Sequence, residues 1–533
     1  MGRKPCGAVA VAALLFFGGF TPRWSTAQSP DAPQTFPTVE VEEAILDNGF
    51  RVLVVEDHRV ARISASLWYR FGAMQEPNGE HGEAHFLEHA IHQGTTTVGT
   101  RDFEAEKPIL REIHETEEKL LEVWDREKNR LRERSILYRE VDWPSTPETE
   151  ALREQLYALE DRDAQYREFW AEWCWYRRHG ATKQHSDPVP ATTGYERMEI
   201  DIDLPKESIE LLFRIEADRM VNAVLRGWEA QRFTVLEQLL NRHSLPETDF
   251  YFAIDGVRGW GHLRDFAFFN RRSMLRMYDQ YMVPNNTTLA LVGDIDMAEA
   301  RRLAQHYFGR IPAGPPAPAR MELEAEPMQR GAARLDWAEP VDPRVIVRFR
   351  IPGVGHPDRP VFDVIAALLD GGNGMLRTKL MYDRDLVSQL DVTDQLIHTY
   401  RLGSPGALHV VAKGRRDQDL PAIERTILEA IEDLRTGKVD AEALGRARKE
   451  MMREWAQIRS HRSRLAYELG TFQVMDSWKT LQPYMEARQR ASAEDIQRIA
   501  REYFVPANRL IAVSRSVPLA SQVPPSGPGE IEE

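Results

Sequence analysis

The segment Glu80-His81-Gly82-Glu83-Ala84-His85-Phe86-Leu87-Glu88-His89-Ala90-Ile91-His92 carries four of the fifteen histidines in the chain. On a helix, His85, Glu88, His89 and His92 fall at i, i+3, i+4 and i+7, so two imidazoles and a carboxylate share one face. Two histidines one turn apart can share a divalent ion, and Zn2+ is the usual occupant of an imidazole and carboxylate site that keeps one position for water. The carboxylate between them is placed to take that water's proton. The order H-x-x-E-H inverts the commoner H-E-x-x-H. A solvated helix face rich in His and Glu is the alternative, and the surrounding sequence must separate the two.

At 533 residues and 42% hydrophobic, the chain exceeds one ordinary domain, and two or more are expected. Its net charge of -14 leaves no basic stripe to displace counterions from nucleic acid, so peptides or other proteins are the expected partners. Arg3 and Lys4 precede the apolar run Ala8 to Phe20, and Ser25-Thr26-Ala27 offers small residues for cleavage before Gln28. Residues 1–27 therefore read as an export signal. Their loss removes Arg3, Lys4 and Arg23 and takes the charge from -14 to -17. The apolar run is short for a membrane span and no second one follows, so no stable span is expected after cleavage. The expected location is the periplasm in a Gram-negative cell and otherwise the exterior. Of the two cysteines, Cys6 falls inside the signal, so Cys174 has no disulfide partner and a four-cysteine zinc site is excluded.

The elements that position the His/Glu helix follow from the patterning. Val39 to Leu46, the turn Asp47-Asn48-Gly49 and Phe50 to Val55 predict a hairpin, and Ile63 to Arg70 a third strand with Ile63, Ala65, Leu67 and Tyr69 alternating. Residues 102–180 are highly charged and read as a helical excursion. Trp143-Pro144-Ser145-Thr146-Pro147 breaks it, with Thr146 suited to an N-cap and Pro147 to the first helical position. Leu152, Leu156, Leu159, Tyr166, Trp170 and Trp173 recur near helical spacing, which predicts two antiparallel helices along an apolar seam. The excursion is either a solvated hairpin or a surface that docks a partner or lids the site. Tyr195 to Leu204 predicts a strand, Pro205 to Leu225 and Glu229 to Arg242 helices, Ser273 to Tyr281 a helix, and Thr287 to Val292 a buried strand.

The second half echoes the first. Tyr281-Met282-Val283-Pro284-Asn285-Asn286 before a strand has its counterpart in Tyr503-Phe504-Val505-Pro506-Ala507-Asn508 before Leu510 to Val513. Two similar α+β units are expected, 38–315 and 325–515, joined near Pro312 to Ala319 and followed by a Pro/Ser/Gly/Glu tail, 516–533, expected to be disordered. The helix matching the His/Glu helix, about Val361 to Leu369, has neither histidine nor glutamate, so only the first unit can hold a metal.

Gly82-Glu83-Ala84-His85-Phe86-Leu87-Glu88-His89 with Gly94-Thr95, Arg214-Ile215-Glu216-Ala217-Asp218-Arg219-Met220, Val283-Pro284-Asn285-Asn286 and Val292-Gly293-Asp294 together resemble the pitrilysin/insulinase family of zinc metallopeptidases, in its short bacterial and mitochondrial-processing-peptidase-like branch. The resemblance implies an α+β fold of two homologous α/β sandwich units, the first carrying the helical-hairpin insertion. It implies Zn2+ on His85 and His89, with Glu88 as general base, and hydrolysis of peptides or unfolded segments. The family's third ligand lies on the helix resembling Gln231-Arg232-Phe233-Thr234-Val235-Leu236-Glu237-Gln238, where counting from Arg232 puts Gln238 at the ligand position and Glu237 one residue early. Adjacent helical positions differ by about 100°, so Glu237 serves only if the helix is rotated or the register shifts. His92 is a further candidate. Pro190-Ala191 stands where the family's substrate-edge strand often begins Asn-Ala, and a proline there removes a backbone donor. Met381 and Ser388 stand where many members carry an Arg and a Tyr for substrate. In the family, metal-bearing subunits without that pair work beside a homologous partner, which implies a heterodimer, with a homodimer as the alternative. A member that has lost catalysis and serves as a binding subunit is the competing reading.

Overall fold

The computed structural model describes residues 36–76, 81–133, 145–168, 171–183, 191–243, 250–251, 253–254, 271–316, 333–394 and 406–516. The export signal, Pro190 and the tail beyond Ser516 lie outside them. The chain divides into Met1–Thr38, whose described residues 36–38 carry no helix or strand, and Val39–Glu533, which holds both sheets.

In the first sheet β1 (Glu42–Ile45), β2 (Arg51–Glu56), β3 (Arg62–Tyr69), β4 (Thr182–Lys183), β5 (Ala191–Thr193), β6 (Met198–Pro205) and β7 (Thr287–Gly293) run in the order β1-β2-β7-β3-β6-β4, with β5 also paired to β6. The second sheet joins β8 (Ala333–Pro340), β9 (Arg344–Ile351), β10 (Val387–Thr393), β11 (Gly406–Gly414) and β12 (Arg509–Arg515) in the order β10-β11-β9-β12-β8. The two share a plan. In each, a central strand (β3, β9) lies antiparallel to both neighbours, and the outer partner of the returning strand is parallel to it (β2 on β7, β8 on β12). The sequence echo has a physical cause: Asn286 donates its amide to the carbonyls of Tyr281 and Arg70, and Asn508 donates to Tyr503 and Arg350. Each asparagine ties the end of a helix to the central strand of its sheet.

Around the first sheet stand α1 (Glu83–Ile91), α2 (Phe103–Glu133), α3 (Pro147–Ala164), α4 (Ala171–Arg178), α5 (Ile209–Asn222), α6 (Trp228–His243), α7 (Arg271–Tyr281) and α8 (Met297–Tyr307). Ile63, Ala65, Leu67 and Tyr69 enter the main core with Phe86, Leu87 and Ile91 of α1, as the alternation in β3 requires. The opposite face of the same strand carries Ser64, Ser66 and Trp68, all buried. Trp68 meets Tyr467 edge-on at 5.2 Å, so the Arg462–Met475 helix of the second half covers the back of the first sheet. The helix matching α1 is Arg359–Asp370. This helix holds no histidine or glutamate, and its buried Arg359 pairs with Asp363 at 3.0 Å.

The excursion contains the expected antiparallel pair, α2 and α3, closed along Ile109, Ile113, Leu120, Trp124, Leu156 and Leu159. Thr146 caps α3 by accepting from the Thr149 amide, with Pro147 in the first turn. Trp170 lies outside the described residues, as does the side chain of Trp173. The strand expected from Tyr195 begins instead at Met198, because Gly194 and Arg197 close a tight hairpin through Gly194 N–H to Arg197 C=O at 2.8 Å. That hairpin folds β5 back on β6.

Candidate functional site

α1 begins at a left-handed Gly82 (φ 110°), a conformation that suits glycine and lets the chain turn sharply into the helix. Its first amides are taken by a residue outside the helix: Glu76 accepts from Gly82 N–H at 2.8 Å and from Ala84 N–H at 2.7 Å. Burial raises the Glu76 carboxyl above its usual range, opposed by bonds from His81 and these amides. Ser273 of α7 donates to Glu83 in the first turn. The far end of α1 is held by α5, where the buried Arg219 guanidinium donates to Ile91 C=O at 3.2 Å and is paired with Glu216, itself bonded by Tyr176. Fixed at both ends and packed on the core, α1 is a rigid carrier.

On it, His85 and His89 stand with ring centroids 4.9 Å apart and planes 78° apart. His85 is 4% exposed and Glu88 8%, with His89 half-buried beside them, so the set is not a solvated helix face. Thr193 of β5 donates its hydroxyl to Glu88 Oε2 at 2.6 Å. Nothing in the sequence reading marked Thr193; the signal that was there is its place three residues after Pro190, in the short strand the family resemblance already singled out.

His92 does something else. Arg219 Nη1 donates to its Nδ1, and burial beside that guanidinium holds the imidazole well below its ordinary pKa. A neutral ring whose Nδ1 accepts must carry its proton on Nε2, so His92 offers a metal no lone pair.

The two α6 candidates part company. Arg232, Val235 and Leu239 form the buried stripe of this helix, and Glu237 is exposed on the opposite side beside Phe233, 67% exposed, and Leu240, 47% exposed. Gln238 is half-buried on the flank of the stripe. Among the described residues no three His, Cys, Asp or Glu side chains gather as a metal cluster. Two imidazoles one turn apart, one buried and one half-buried, fit Zn2+ at two corners, and an amide oxygen is an acceptable but weaker third donor. Of the substrate positions, Met381 is half-buried beside Arg377, and Ser388 is exposed on β10.

Comparison with known proteins places residues 51–107 in the family described as "Insulinase (Peptidase family M16)" and residues 269–451 in "Peptidase M16 inactive domain". The chain is 36% identical over 104 residues to "Mitochondrial-processing peptidase subunit beta" of Rattus norvegicus, covering 20% of each chain. It is 25% identical over 278 residues to "Probable zinc protease PqqL" of Escherichia coli, covering 52% of this chain and 24% of that one. These matches therefore span about a fifth to a quarter of the relatives' own length. Among solved structures, a protease from Helicobacter pylori superposes with a TM-score of 0.70 at 17% identity, covering 90% of this chain and all of that one. The periplasmic protease PqqL from Escherichia coli gives 0.61 at 14% identity, covering 90% of this chain and 48% of that one.

Proposed function

The chain belongs to the pitrilysin/insulinase family of peptidases, and from that premise we propose that it is an exported zinc-dependent endopeptidase that hydrolyses peptides or unfolded segments. The observation that carries this reading is the His85/Glu88/His89 set with Glu88 held by Thr193. His85 and His89 would hold the ion with Gln238 as third donor, since Glu237 faces solvent. A bound zinc supplies an acidified water and a polarised scissile carbonyl. Glu88 takes the water's proton and delivers it to the leaving amine. Thr193 keeps the carboxylate pointed at its task. Similarity to a protein described as "Mitochondrial-processing peptidase subunit beta" supports a homologous partner subunit, or a second copy, completing the peptide chamber. Export rests on residues 1–27; among the described residues no helix is long and apolar enough to cross a membrane.

The mature protein, purified without chelator, should carry close to one zinc per chain and cleave unfolded peptides alone or with its partner. Absence of both zinc and cleavage overturns the reading. The second reading, a binding subunit with catalysis weakened or lost, is favoured by one observation: the position that resembles the family's third ligand holds the neutral amide of Gln238.

A further inference from the structure

The charged insertion is fastened to α6 at successive points along the first part of that helix. Just before α6, Arg226 is 2% exposed and pairs with Glu106 of α2 at 2.5 and 2.9 Å, while also donating to the carbonyls of Gln93 and Thr95 after α1. Gly227 has φ +59°, and a Cβ there would stand 2.7 Å from the guanidinium of Arg167, the residue that ends the insertion's α3 arm and is bonded to Asp163. Trp228 packs on Phe86 of α1 at 4.6 Å and lies under Arg271, which is paired with Glu117 of α2 at 2.6 and 2.9 Å. One turn on, the buried Arg232 guanidinium lies over the Trp124 ring of α2 at 5.4 Å.

We infer that the insertion is the frame that sets the rotation of α6, with Trp124 and Glu106 as positioning residues for Gln238. A helix packed only along its apolar stripe can roll, and about 100° of roll separates Gln238 from Glu237. Val235 and Leu239 are apolar and make no directional bond that would oppose such a roll. The Arg232 cation over Trp124, the Arg226/Glu106 pair and the left-handed Gly227 under Arg167 are directional, and each has one partner in the insertion. The inward edge of the hairpin thus fixes the third donor. The zinc part of this inference rests on the proposed peptidase site.

The test is Trp124→Ala, with Trp124→Phe as the conservative variant, in the full chain. Zinc affinity is read by competition with a chelating dye, and helix rotation freedom by hydrogen exchange of the Trp228–His243 amides. Trp124→Ala should weaken zinc about tenfold, the usual scale for residues behind a ligand, and speed exchange in α6 while β3 and β7 stay protected. Trp124→Phe, which keeps a ring under Arg232, should restore both. Unchanged affinity with unchanged α6 exchange overturns the inference, and so does loss of protection throughout the sheet without rescue by phenylalanine, which would make Trp124 a general core residue. If the wild type binds no zinc, the peptidase reading falls, and the α6 exchange arm alone decides whether the insertion holds the helix.

Discussion

Thr193 and Glu88 lie 105 positions apart, on either side of the whole insertion, and meet through a hydroxyl to carboxylate hydrogen bond of 2.6 Å. The bond crosses from β5 to α1, so the hairpin that turns at Gly194 sets the orientation of the proposed general base. The same hairpin holds the lead-in to α1, because Gly194 and Tyr195 carbonyls accept from Ala73 and Met74.

Glu88→Gln should abolish peptide cleavage, a loss on the order of 100-fold to 10,000-fold for a general base, while zinc content stays unchanged. Thr193→Val should lower kcat about tenfold through a misoriented carboxylate, and Thr193→Ser should restore it. A quenched-fluorescent peptide substrate reads all three. Valine behaving as wild type would show that Glu88 is oriented without Thr193.

Gln238→Glu replaces a neutral amide with a charged donor and should tighten zinc by at least about tenfold. If cleavage rises with affinity, the natural site is weakened and the binding-subunit reading gains. If existing cleavage falls instead, the amide is already tuned to this site. Glu237→Gln, on the exposed face, should leave zinc affinity within about twofold.

The helix that brings His85, Glu88 and His89 to one face was legible because its signal is local: the i, i+3, i+4 spacing survives any tertiary context. The two-unit plan was legible through Asn286 and Asn508, whose identical helix-to-strand bonds preserve a short motif in each half. What escaped was non-local. Glu76 capping α1, Thr193 on Glu88 and Trp124 under Arg232 join residues with no sequence spacing that announces them. The exposure of Glu237 was equally hidden, since counting positions fixes an alignment but not which way a helix faces.

Asp201 gives a pH signature. Buried under the second half and bonded by Ser66, its carboxyl is pushed by burial from 3.8 to about 6, with Arg197 and Ser66 opposing. Between those values the folded state keeps a proton that the unfolded chain has lost, so this residue's contribution to stability falls as pH rises from 3.8 to 6. At about 1.36 kcal/mol per unit, the full effect is on the order of 3 kcal/mol. Asp201→Asn keeps an acceptor for Ser66 and cannot ionise, so it should be more stable than wild type at pH 7 and lose that advantage near pH 4. Urea unfolding at the two pH values measures the difference, and an advantage independent of pH would count against a titrating Asp201.

Gly470 and Gly445 make opposite predictions from the same substitution. Gly470, in the Arg462–Met475 helix, lies so close to the Trp68 indole that a Cβ would collide with its ring. The ring has no room to give: Trp68 is fully buried, bonds Ser66 through Nε1 at 2.6 Å, and is covered by Arg197 at 5.0 Å. Gly470→Ala must therefore lift the second-half helix off the first sheet, at a cost of about 1–3 kcal/mol for an overpacked contact. Gly445, in the Ala441–Ser460 helix, meets nothing within 4 Å, so Gly445→Ala should stabilise by about 0.5–1 kcal/mol through helix propensity alone. Thermal unfolding with hydrogen exchange across β3 and β7 compares the two. If Gly470→Ala left both unchanged, the second half would not be seated on the first sheet through Trp68.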